Sequence, residues 1–126
     1  MWEERAKASL GAARTLYQAE SFHGGANRVY YAAYQAATSV CILHGDSDQF
    51  PAGWNNPSHD QLPDLILNNG NLTVSARRVV ARHLVALRRL RENADYRVGI
   101  TVNQQTVFEA IQLAEVIFSL LGTDKA

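Results

Sequence analysis

VSARRVVARHLVALRRLRENADY, residues 74–96, decides the fold. At ~100° per residue, Val79, Val80, His83, Leu84, Leu87, Leu90 and Ala94 gather in one sector, and Arg78, Arg82 and Arg89 fall opposite. An apolar stripe held at that period marks a helix, and no stretch of the chain alternates as a half-buried strand would. Thr73 stands where a cap is wanted.

The same period recurs outward in both directions. A first helix runs from about Trp2 to Glu20, with Trp2, Ala6, Leu10, Ala13, Leu16 and Tyr17 on one face, and Ser21 to Gly25 breaks it. A second, from roughly Ala26 to His44, has Ala26, Val29, Tyr30, Ala33, Ala37, Val40 and Cys41 on its core face and is stopped by Gly45. Gly45 to Pro57 reads as an irregular surface loop. A short helix follows, with Ser58 and Gln61 spaced as a capping box and Gly70 closing it. The last helix, about Gln104 to Leu121, is capped by Asn103 and turns Val107, Phe108, Ile111, Ala114, Ile117, Phe118 and Leu121 inward. Four long helices on mostly short links predict an all-α, up-down-up-down four-helix bundle with an additional short helix. The second and fourth helices then run antiparallel, so the start of one lies beside the end of the other.

A chain of 126 residues suits one domain spanning 1–126, and 47% hydrophobic with 19% charged suits a packed rather than a disordered chain. The formal net charge is zero, so any nucleic-acid contact must come from a local patch. Cys41 has no intrachain partner, which fits a reducing compartment. The start, Met1 to Arg5, lacks the regions of a signal peptide, and no apolar run spans a bilayer. A cytoplasmic location and no membrane contact are expected. His23, His44, His59 and His83 are scattered without ligand spacing, and no Gly-rich phosphate loop is present, so neither a metal nor a cofactor is expected. His83 reads as an interior histidine.

Some charge sits against the pattern. Arg91 falls at the edge of the apolar sector, beside Leu84 and Leu87, and leaving a buried arginine unpaired costs roughly 3–5 kcal/mol. Asp95, at i+4, is the partner the spacing offers. The pair either pins the end of the bundle or serves a function. Arg78, Arg82 and Arg89 form either a solvated helix face or a weak phosphate-binding surface. The far side of the second helix reads Arg28, Tyr31, Ala32, Gln35, Ser39 and Ile42, small and aromatic where a solvated face would carry Lys and Glu. Such a face suits a subunit interface; burial within the monomer, under the long loop, is the other account.

Asn27-Arg28-Val29-Tyr30-Tyr31-Ala32-Ala33 resembles the N-R-x-Y-Y-A-A opening of the second helix in HEPN-domain proteins. His59 stands where many of them place a histidine at a short helix. Leu90-Arg91 with Ala94-Asp95-Tyr96 is similar to the L-R-x-x-A-D-Y that closes their fourth helix, and a last helix punctuated by Ala114 completes the set. The resemblance spans nearly the whole chain. It implies a homodimer of helical bundles and work in prokaryotic defence or toxin–antitoxin systems, often beside a nucleotidyltransferase. Many HEPN proteins are metal-independent endoribonucleases, whose motif arginine stabilises the phosphorane while a histidine shortly after it moves protons.

Arg91 matches the motif arginine, but the histidine's window holds Tyr96, Arg97 and Val98, and no histidine follows His83. A tyrosine phenol ordinarily titrates near ~10 and makes a poor proton acceptor at neutral pH. The sequence therefore points to a HEPN-like module without the usual RNase activity. Arg28, Tyr31, Arg91, Asp95 and Tyr96 are its candidate binding residues for a nucleotide or RNA phosphate. The alternative is an endoribonuclease using Arg91 and Tyr96 in a modified mechanism.

Overall fold

A computed structural model of the chain describes residues 1–96 and 101–123. Five helices account for most of it: α1 Trp2–Gln18, α2 Phe22–Leu43, α3 Leu62–Leu67, α4 Val74–Tyr96 and α5 Gln104–Leu121. No strand occurs among the described residues. Among them, too, no helix is long and apolar enough to cross a membrane. Arg97 and Val98, part of the window after Arg91, lie outside the described residues.

The long helices form the up-down-up-down bundle that their periodicity predicts, with α3 as the additional short helix against α4. Two contacts, one on α4 and one in the turn just ahead of it, fix α2 and α4 as antiparallel. Asn27 Nδ2 donates to Asp95 Oδ2 at 3.2 Å, and at the other end the side chains of His44 and Asn69 meet at 2.9 Å. Gln104 at the start of α5 donates to Tyr17 at the end of α1, 3.2 Å away.

The caps read from the sequence are present. Thr73 Oγ1 accepts from Ala76 N, and Asn103 Oδ1 accepts from Thr106 N. Ser58 and Gln61 exchange the two hydrogen bonds of a capping box at 3.0 and 3.1 Å, one turn ahead of α3. Gly45 adopts φ 85° just past α2, as a helix stop requires.

Other expectations need correcting. α2 begins at Phe22, so Gly24 and Gly25 lie inside the helix rather than in a break, and the turn is made by residues 19–21 with Glu20 at φ 60°. Gly25 is there for packing: a Cβ on it would stand 3.2 Å from Val107 Cγ1, so its absence lets α5 come close. The long loop is not wholly irregular, since Asp46–Gln49 make a 3-10 turn. α3 ends at Leu67, before Gly70, and Asn69 rather than Gly70 orders the exit, its Oδ1 accepting from Asn71 N at 2.9 Å. Phe108 does not face the core but is 43% exposed, beside Tyr17.

α2 is the spine of the molecule, packed by α1, α4 and α5. Its row of Ala26, Ala33, Ala36 and Ala37, all buried, is what allows three helices to reach it. The far side also differs from expectation. Ala32 is fully buried, and the Gln35 amide lies 2.6 Å from Ser9 Oγ, so α1 covers this part of the face, neither the long loop nor a second subunit. Arg28 and Ile42 remain exposed.

Candidate functional site

Antiparallel packing brings the first turns of α2 to the last turns of α4, and the candidate residues meet there. The Arg91 side chain is only 13% exposed. Its Nε donates to Asp95 Oδ2 at 3.4 Å and its Nη2 to Tyr96 Oη at 3.2 Å. The guanidinium carbon lies 5.3 Å from the ring centre of Tyr31, 5.7 Å from that of Tyr30 and 5.8 Å from that of Tyr96, within the range of cation–π attraction. Burial works against its charge, but the Tyr96 hydrogen bond, nearby Tyr31 and the Asp95 hydrogen bond hold its pKa above the ordinary value. Arg91 is therefore a fixed cation, with only two of its donors engaged among the described residues.

Tyr31, Arg91, Asp95 and Tyr96 are thus one cluster, as their spacing suggested. Arg28 is not part of it. It stays exposed, with no hydrogen bond or ion pair among the described residues, and its neighbour Asn27 makes the contact to Asp95. One residue is ~100° of helix, enough to exchange the inward side chain for the outward one.

A second layer escaped the sequence reading. Tyr34, nearly fully buried, donates to the Pro57 carbonyl at 2.5 Å and accepts from Asn56 Nδ2 at 2.7 Å, and Gln61 Nε2 donates to the Gln49 carbonyl at 2.7 Å. These ties fix the loop that delivers His59. The His59 ring lies 4.8 Å from Tyr34 and 5.4 Å from Tyr30, with its Nδ1 at 2.5 Å from Tyr30 Oη. Burial raises the Tyr30 pKa far above normal, so its hydroxyl keeps the proton and shares a hydrogen bond with His59 Nδ1. Burial, then Arg91 and Arg88, lowers the His59 pKa. A neutral imidazole carries one ring proton, and in the tautomer that accepts from Tyr30 at Nδ1 the Nε2–H is a donor.

Arg88 completes this layer. Its Nη1 meets Asp60 Oδ1 at 2.5 Å and its Nε meets Glu92 Oε1 at 2.9 Å. The Asp60 hydrogen bond is the main reason its pKa stands above the ordinary value. Beside it opens a cavity of about 250 Å³, lined by Tyr30, His59, Leu62, Leu84, Val85 and Arg88. One signal for Arg88 was in the sequence: Arg88, Arg91 or Glu92, and Asp95 follow each other at three- and four-residue steps along one row of α4. His59 was marked only by its place in the family pattern and Asp60 gave no signal, because their contacts cross from a loop.

Chemically, the arrangement offers two guanidinium groups, one imidazole N–H and the faces of Tyr31 and Tyr96. That set suits recognition of an anion with a planar group attached. A family model described as HEPN domain matches residues 1–124. No curated protein and no solved structure matches the chain.

Proposed function

Since this chain belongs to the HEPN domain family, we propose that it is the phosphate-recognising, dimeric module of a prokaryotic toxin–antitoxin or defence system. It receives a phosphate of a nucleotide or RNA at the Arg91 cluster and docks on a nucleotidyltransferase-type partner. HEPN modules often serve such systems and commonly dimerise. The observation that carries the reading is the state of Arg91: charged, 13% exposed, seated on three tyrosine rings and only partly engaged in hydrogen bonds. A guanidinium so placed is already ordered, so binding an anion costs little further side-chain entropy.

The usual RNA-cutting chemistry is absent from this reading because the motif histidine is absent. Tyr96 occupies its window, with its oxygen accepting from Arg91. That same 3.2 Å contact is what favours the second reading, an endoribonuclease in which Arg91 and Tyr96 act together.

The test is an NMR titration with ATP and with single-stranded RNA, run beside an RNA-cleavage assay, on wild type and Arg91→Ala. Shifts should appear at Tyr31, Asp95 and Tyr96 with at least one probe and vanish in the variant, while RNA stays whole. Robust cutting that Arg91→Ala abolishes without loss of fold would install the endoribonuclease instead. No shifts with either probe would leave a purely structural helical module.

A further inference from the structure

We propose that Arg88 and His59 form a second phosphate subsite beside Arg91, and that Asp60 occupies it as an internal stand-in that a phosphate group must displace. The inference rests on the phosphate-recognition reading of the Arg91 cluster and extends it to residues that reading does not use.

The three carboxylates around the two arginines are not alike. Asp95 and Glu92 sit on α4 itself, each one turn from its arginine, so their backbone stays beside the arginine whatever else binds. Asp60 comes from the turn before α3. Its side chain is 87% exposed, yet it reaches Arg88 Nη1 at 2.5 Å. A carboxylate and a phosphate present the same oxygen pair to a guanidinium, so the position Asp60 holds is one that a phosphate oxygen fits.

His59 supplies the second donor. Its ring packs on Tyr30 and Tyr31, the same two rings that carry the Arg91 guanidinium, and it lines the cavity that Arg88 borders. Nδ1 is engaged by Tyr30, and the subsite uses the tautomer in which Nδ1 accepts and Nε2–H donates. Charge balance gives the reason for displacement. Against Arg88 and Arg91 stand Asp60, Glu92 and Asp95, with Asp64 on the same cavity wall, a surplus of negative charge that opposes an incoming anion and is lessened by one when Asp60 withdraws. Asp60 therefore sets a threshold: a lone weak anion does not replace it, whereas a multiply charged phosphate group does.

The shared chemistry is a phosphate, carried either by a free nucleotide or by an RNA strand, and separate arms distinguish the two. Calorimetric titrations at low salt with ATP and with a 5′-hydroxyl single-stranded RNA should be run on wild type, Asp60→Asn, Arg88→Gln and Glu115→Gln. The last removes one negative charge far from the site, on the Arg14 ion pair. Asp60→Asn should bind at least one probe several-fold more tightly than wild type, Arg88→Gln several-fold more weakly, and Glu115→Gln unchanged. The probe that shows the gain identifies the phosphate source. Arg88→Lys, which keeps the charge but loses the fork, should fall between wild type and Arg88→Gln, so a folding defect in the glutamine variant does not decide the matter.

Unchanged or weaker binding by Asp60→Asn, or an equal gain in Glu115→Gln, overturns the subsite. If binding depends on Arg91 while ignoring Asp60 and Arg88, the subsite fails and the Arg91 reading stands. If no variant binds either probe, both fail.

Discussion

Tyr30 and His59 meet at 2.5 Å, and burial acts on them in opposite senses, raising the phenol and lowering the imidazole. The sign of the pH dependence follows. Because the folded His59 pKa lies below the unfolded 6.5, the unfolded chain binds the extra proton first as pH falls. The stability tied to neutral His59 is thus complete above that value and is lost as pH drops through the lower, folded one. His83, also lowered by burial, adds a loss of the same sign. Urea midpoints should fall between neutral pH and about 5, and His59→Gln should flatten that fall while leaving the His83 part. Equal slopes in the two proteins would remove His59 from the account. At this scale the sequence revealed what a single helix determines. Arg91 and Asp95 were legible as an i, i+4 pair, whereas His59 on Tyr30 and Asp60 on Arg88 depend on where a loop is tied down by Tyr34. Arg28 failed as a neighbour for Asp95 because the inward position at that level of α2 belongs to Asn27.

Helix ends were readable where a side chain does the capping and misread where glycine does something else. Asn103 accepts from both the backbone and the hydroxyl of Thr106, so Asn103→Ala should cost about 1 kcal/mol in chemical denaturation. A cost near zero would mean the α5 cap is idle. Gly24 and Gly25 carry the ordinary signal of a break, yet both sit inside α2 because the contact with Val107 requires a missing side chain at Gly25. That requirement is invisible until α5 is placed against α2. A large residue there has to push the helices apart, so Gly25→Leu should destabilise by roughly 1–3 kcal/mol despite its better helix propensity. A Gly25→Leu protein as stable as wild type would show that the α2–α5 approach is loose. Phe108 was misplaced for the converse reason: its step in the period is apolar, but the bundle leaves that side of α5 outside, next to Tyr17.

The whole molecule carries no net charge, so the proposed anion binding has to come from the α2–α4 end and not from a general field. Its bundle architecture was legible because four amphipathic periods on short links leave few ways to bury their stripes. Solution scattering at micromolar concentration should return twice the 13.9 kDa of one chain, and a clean monomer would remove the dimer from the proposed function. Ala32 and Gln35, already covered by α1, leave little of the face expected for that contact, so the dimer should use other surface. The central place of α2 also has a consequence in time. α1 and α2 leave the ribosome before α4 and α5 and pack on each other, but α2 must wait for α5, which follows α3 and α4, to fill the groove at Gly25. Throughout the synthesis of α3 and α4 that groove stands open to solvent and to other nascent chains. A chaperone that shields it would be dismissed by the arrival of Val107, which makes the arrival of α5, rather than completion of the longest helix, the moment that side of α2 is closed.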